Sequence, residues 1–108
     1  MIINNIPVEV KHYLSVEEKL ELIGTVLSAA HDLNFENPIK TDIFTSLLII
    51  EKYTNISFTE KQKENPAKLY DLLVENGIIE KIISEIPSVE YQTLINGIKQ
   101  SSKAIYEY

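Results

Sequence analysis

The chain contains no cysteine and no arginine, and its glycines number only three. Without cysteine there are no disulfides, no thiolate metal sites and no cysteine nucleophile. Without arginine every basic side chain is a lysine, so the planar fork that best grips phosphates and guanine edges is missing. The formal charge of −6 also repels nucleic acid on average, so no nucleic-acid partner is expected. Gly24, Gly77 and Gly97 stand alone, which leaves no glycine-rich loop to cradle a phosphate. No stretch approaches the roughly 18 uninterrupted apolar residues of a membrane-spanning helix, and no membrane partner is expected. The opening Met1-Ile2-Ile3-Asn4-Asn5-Ile6-Pro7 lacks a positive n-region and does not read as a secretory leader.

What is present is a helical pattern. A chain of 108 residues fits one domain. In Ile78-Ile79-Glu80-Lys81-Ile82-Ile83-Ser84-Glu85-Ile86 the apolar residues come in pairs every four positions, with polar residues between them. That spacing lays one apolar stripe along a helix; a strand would send neighbouring isoleucines to opposite faces. Isoleucine is a mediocre helix former, so the stripe must draw its stability from packing.

The rest of the chain divides in the same terms. Ser15-Val16-Glu17-Glu18 is a capping box that opens a helix over about 16–32, with Leu20, Ile23, Leu27 and Ala30 on its inner face. Asn37-Pro38 starts a second helix, whose run Leu47-Leu48-Ile49-Ile50 marks it as the central, most buried one. Leu47, Leu48 and Ile50 are expected to be almost fully buried. Ser57-Phe58-Thr59-Glu60 opens a short polar turn, and Asn65-Pro66 opens a third main helix ending at Gly77. Pro87 ends the isoleucine-paired helix. Ser88 caps the last one, with Glu90 placed to favour its dipole. The expected fold is a compact all-α domain of five main helices over residues 15–108, preceded by an extended arm over residues 1–14. In that arm Val8, Val10, His12 and Leu14 alternate with Glu9, Lys11 and Tyr13, a period of two with no obvious partner strand elsewhere. The arm either lies on its own domain or pairs with another chain.

The search for chemistry finds no constellation that carries it. His12 and His31 are far apart, and His31, Asp32 and Glu36 straddle a helix end that fixes no metal geometry. No metal or cofactor is expected. Glu17, Glu18, Glu21, Asp71, Glu75, Glu80 and Glu85 fall on wet faces, with nothing to desolvate one of a pair for acid–base work. Ser15, Ser57 and Ser88 are explained as caps, and no nucleophile elbow exists. Lys61, Lys63 and Lys68 alternate with Glu60 and Glu64. A recognition helix over 78–86 would offer Glu80, Lys81, Ser84 and Glu85, a poor set for reading DNA. The expectation is therefore a protein that is not an enzyme. Tyr106 and Tyr108, at the end of the chain, are candidate interface anchors, beside Val8, Val10 and Leu14 of the arm.

The run from Tyr53-Thr54-Asn55-Ile56-Ser57-Phe58 to Lys68-Leu69-Tyr70-Asp71-Leu72-Leu73, the early Glu18-Lys19-Leu20-Glu21-Leu22-Ile23 and the ending Ala104-Ile105-Tyr106-Glu107-Tyr108 carry a resemblance. They resemble small uncharacterised proteins of tailed bacteriophages that infect low-GC bacteria, and the likeness covers most of the chain. Proteins of that kind continue past the position of Tyr108. The resemblance transfers no catalytic or binding residue. It implies a phage setting, in the virion or the host cytoplasm. The leading expectation is a virion structural or assembly component that contacts itself or another phage protein, a homo-oligomer included. The alternative is an inhibitor that meets a host defence or regulatory protein through an acidic helical surface.

Overall fold

The computed structural model describes residues 2–3, 6–32 and 38–106, and among these the chain is all-α apart from one miniature ribbon. Strands β1 (Ile2–Ile3) and β2 (Ile6–Pro7) pair antiparallel, Ile2 opposite Pro7 and Ile3 opposite Ile6. The helices that follow are α1 (Val16–Asp32), α2 (Pro38–Tyr53), α3 (Glu60–Lys63), α4 (Pro66–Glu75), α5 (Ile78–Glu85) and α6 (Ser88–Tyr106). The core gathers one stripe from each of the five longer helices: Leu22 and Val26, Leu47, Ile49 and Ile50, Leu69 and Leu73, Ile78 and Ile82, Leu94 and Ile98. Leu48 departs from expectation. It is half-buried, and Ile49 takes the inward place, because at 100° per residue four consecutive apolar side chains cannot all face one core.

The helix boundaries follow from local chemistry. At α1 the Glu18 amide donates to Ser15 Oγ at 3.1 Å, and the Glu18 carboxylate reaches back to the Ser15 amide at 3.4 Å. At α4 the Lys68 amide donates to Asn65 Oδ1 at 3.1 Å, with Pro66 at the first helical position. The polar turn starts two residues later than Ser57. Thr59 is the cap, exchanging hydrogen bonds with Gln62, and Phe58, just outside the helix, packs against the core. Gly77 joins α4 to α5 at φ 67°, a left-handed conformation that costs any residue with a Cβ about 1–2 kcal/mol.

Of the two placements open to the arm, the structure shows the one on its own domain. Val8 and Leu14 are buried, and Val10 packs against the same core. Val10 bridges Thr54, and the Lys11 amide donates to the Tyr53 carbonyl at 2.6 Å. The partner missing from the pattern is thus the end of α2, met by one bridge at Thr54 and one hydrogen bond to the Tyr53 carbonyl. The boundary at residue 14 does not separate two cores; residues 8–14 form a strap over the helices, and only the ribbon before them stands clear.

Glycine separates two further cases. A Cβ on Gly97 of α6 would sit 2.8 Å from Ile23 Cδ1 of α1, so this glycine marks close helix contact. A Cβ on Gly24 would meet nothing within 4 Å. Gly24→Ala is expected to raise the unfolding free energy by about 0.5–1 kcal/mol in a denaturant melt, because only backbone entropy changes. Deleting residues 2–14 should lower the melting temperature sharply. Removing Val8 and Leu14 forfeits about 1.5–3 kcal/mol each, against a total stability on the order of 5–15 kcal/mol. A truncated protein that melts with the full chain would refute the strap.

Candidate functional site

The helices α1, α2 and α6 each carry a polar residue on the apolar stripe, and the three meet under the strap. Glu90 lies four residues before Leu94 on α6, Lys19 three before Leu22 on α1, and Tyr53 three after Ile50 on α2. Helical spacing turns all three inward. Lys19 Nζ is 2.7 Å from Glu90 Oε1. The Tyr53 hydroxyl donates to Glu90 Oε2 at 2.6 Å, and the Leu14 amide donates to the same oxygen at 2.9 Å. The Tyr13 ring covers Lys19 Nζ at 4.0 Å from its centroid. Glu90 is 6% exposed and Tyr53 fully enclosed.

The electrostatics follow from this geometry. Burial on its own would raise the Glu90 carboxyl, but the hydrogen bonds from Lys19, Tyr53 and the Leu14 amide outweigh it and hold the group below the ordinary carboxylate range. The Tyr53 phenol is pushed up by burial first, then by its hydrogen bond to Glu90 and that carboxylate's charge. The cluster is therefore an ionised carboxylate beside a neutral phenol. Both carboxylate oxygens are already engaged, and no buried side-chain nitrogen or oxygen among the described residues lacks a partner. A general base needs a free lone pair aimed at substrate. Its contacts run to the strap and to two helices, so the cluster clasps these three parts together.

Glu90 stands in the first turn of α6, as its dipole role requires, and the structure adds that it is buried. The signal was present in the spacing: a charge four residues before Leu94 lies on the same stripe as Leu94 and Ile98. Val8 and Leu14, candidate partner contacts, instead belong to the core, and Val10 is engaged at Thr54. Apolar side chains spaced two apart fit a neighbouring chain and their own domain equally well, and here their own helices are nearer. The α6 backbone reaches Tyr106, but its side chain and the whole of Tyr108 lie outside the described residues, as do the side chains of His31, Asp32 and Glu36. Among the described residues no three His, Asp or Glu side chains converge in a way that could hold a metal ion, and no helix is long and apolar enough to cross a membrane.

Two surface features stand apart from the clasp. On the ribbon, Ile2 and Ile6 are 70% and 63% exposed. Across α4 and α5, Val74, Ile79 and Ile83 line an apolar channel with Glu80 and Ser84 at its side. Comparison with protein families, curated proteins and solved structures yields no match to the chain.

Two measurements check the clasp. Tyr53→Phe removes a hydrogen bond to a charged group and should cost about 1.5–3 kcal/mol in a denaturant melt. A carboxyl whose folded-state pKa lies below its unfolded value adds stability that is full above the unfolded value and is lost as pH falls through the folded one. Stability should accordingly decline as pH drops below about 4.5, the ordinary carboxyl value. Glu18, lowered chiefly by its hydrogen bonds with Ser15, acts in the same direction. Glu90→Gln should be less stable than the parent at pH 7 and lose less on acidification. An acid profile identical to the parent's would show that Glu90 carries no such linkage.

Proposed function

We propose that the protein acts by binding another protein, as a virion structural or assembly component of a tailed bacteriophage. The observation that carries this reading is the ribbon ahead of the strap. Ile2 and Ile6 expose most of their surface to water, and burying an isoleucine side chain is worth about 1.5–3 kcal/mol. The strap anchors this ribbon to the core through Val8, next to Pro7, so Ile2 and Ile6 are presented from a fixed point. Two short strands also leave unpaired backbone edges that another chain can extend. Among the described residues, the buried charged cluster around Glu90 is engaged in holding the fold, which favours contact over catalysis. The phage setting rests on the sequence resemblance.

A second reading is favoured by a separate observation, the carboxylates beside the α4–α5 channel. It makes the protein a free inhibitor of a host defence or regulatory protein, contacted through that acidic helical surface.

Particle association separates the two. Purified virions analysed by mass spectrometry should contain the protein in fixed proportion to the other structural proteins. The double variant Ile2→Ser/Ile6→Ser should leave the thermal melt unchanged, because neither side chain is in the core, and should reduce incorporation into particles. Recovery of the protein only from the soluble lysate would overturn the virion reading in favour of the inhibitor.

A further inference from the structure

The α4–α5 face carries an apolar channel that the fold itself leaves open. Val74, in the last turn of α4, is 50% exposed, and Ile79 and Ile83, one turn apart on α5, are half-buried. Their partners in the isoleucine pairs, Ile78 and Ile82, face the core. The paired pattern thus gives α5 two apolar stripes: one stripe packs inward, and its neighbour lines the channel with Val74. A second depression shares Ile83 and Ser84 with it and is lined also by His12, Glu85, Ile86 and half-buried Tyr91.

The charges around the channel have one dominant sign. Glu80 lines the channel and Glu85 the adjoining depression. Glu75 follows Val74 at the end of α4, and all three are exposed. None of the three takes part in an ion pair among the described residues, where the paired carboxylates are Glu18, Glu21, Glu51 and Glu90. Lys81 is the one cation on α5, and His12 lines the adjoining depression. A second copy of this chain, seated face to face, would bring the same carboxylates together, and like charges across an interface are costly. A helix with lysines or arginines flanking an apolar stripe would satisfy both the channel and these carboxylates.

We infer that the channel formed by Val74, Ile79 and Ile83, with Glu80 in its lining and Glu85 in the adjoining depression, is a docking surface for a basic amphipathic helix of another protein. This rests on the reading of the chain as a protein-binding module and specifies one surface and the partner chemistry it takes. Binding is by helix in groove: apolar anchors spaced three and four apart enter the channel, and basic side chains reach the carboxylates. It is independent of the ribbon, so loss of Ile2 and Ile6 leaves it intact.

The test uses two labelled peptides of about 18 residues, five helical turns. They share one leucine stripe and carry either lysine or glutamate on the flanks. Fluorescence anisotropy with the full chain should show saturable binding of the lysine peptide and binding at least about tenfold weaker of the glutamate peptide, the size expected for a few exposed charge pairs. Glu80→Lys/Glu85→Lys should weaken the lysine peptide by about tenfold and improve the glutamate peptide. Val74→Ser should weaken both with no change in the thermal melt. Amide chemical-shift changes on adding the lysine peptide should centre on residues 74–86. No binding, equal binding of both peptides, or shifts centred elsewhere would overturn the inference. So would a concentration-dependent dimer that Val74→Ser abolishes, which would make the channel a self-interface. Each of these results leaves particle association through the ribbon standing, so the two failures are distinguishable.

Discussion

A carboxylate buried in a small helical domain keeps its charge only where it is paired and hydrogen-bonded. Glu90 meets that requirement only if four parts of the chain arrive together: the last helix that carries it, Lys19 from the first, Tyr53 from the second, and the backbone amide of Leu14 from the strap. The rest of the architecture can be read from this constraint. Lys19 meets Glu90 near the start of both helices, and Ile23 meets Gly97 further along, so α1 and α6 run side by side in the same direction. The end of α2 is fixed where it can present Tyr53 inward and the Tyr53 carbonyl outward to Lys11. A purely apolar core of the same size would tolerate sliding between these helices. The directional bonds of Glu90 give them one register.

The same clasp divides the N-terminus into two parts with different physical roles. Residues 8–14 are spent on stability, with Val8 and Leu14 in the core and backbone bonds to Tyr53 and Thr54. In the ribbon ahead of them, Ile2 and Ile6 remain largely in water. Apolar side chains on a fixed base reach a partner with less lost conformational freedom than a loose arm would, since part of their ordering has already occurred on folding. On the opposite logic, the acidic channel over α4 and α5 sits on two rigid helices joined at Gly77. In the proposed reading one surface reaches out and the other receives, and neither draws on the buried charges.

Much of the fold was legible in the residues. The capping box at Ser15, the Asn-Pro start at Asn65, the left-handed Gly77 and the break at Pro87 each act within one turn of chain, so spacing alone reports them. The isoleucine pairs announced α5 for the same reason. Thr59 in place of Ser57 was a choice between two neighbouring hydroxyls, decided by Gln62 three residues on and by the burial of Phe58. The fate of Leu48 was a question of helix phase, which a run of four apolar residues leaves open.

What the sequence by itself determined, then, is the set of helices, their ends, the absence of thiol chemistry and the excess of negative charge. Tertiary structure alone decided where the strap lies, which carboxylate is buried, which glycine is a contact and which apolar stripe of α5 stays open. The physical reason is range. Caps and periodicity are satisfied within a few residues, whereas Glu90 depends on partners 37 to 76 positions away in the chain, and no local pattern encodes a bond of that span.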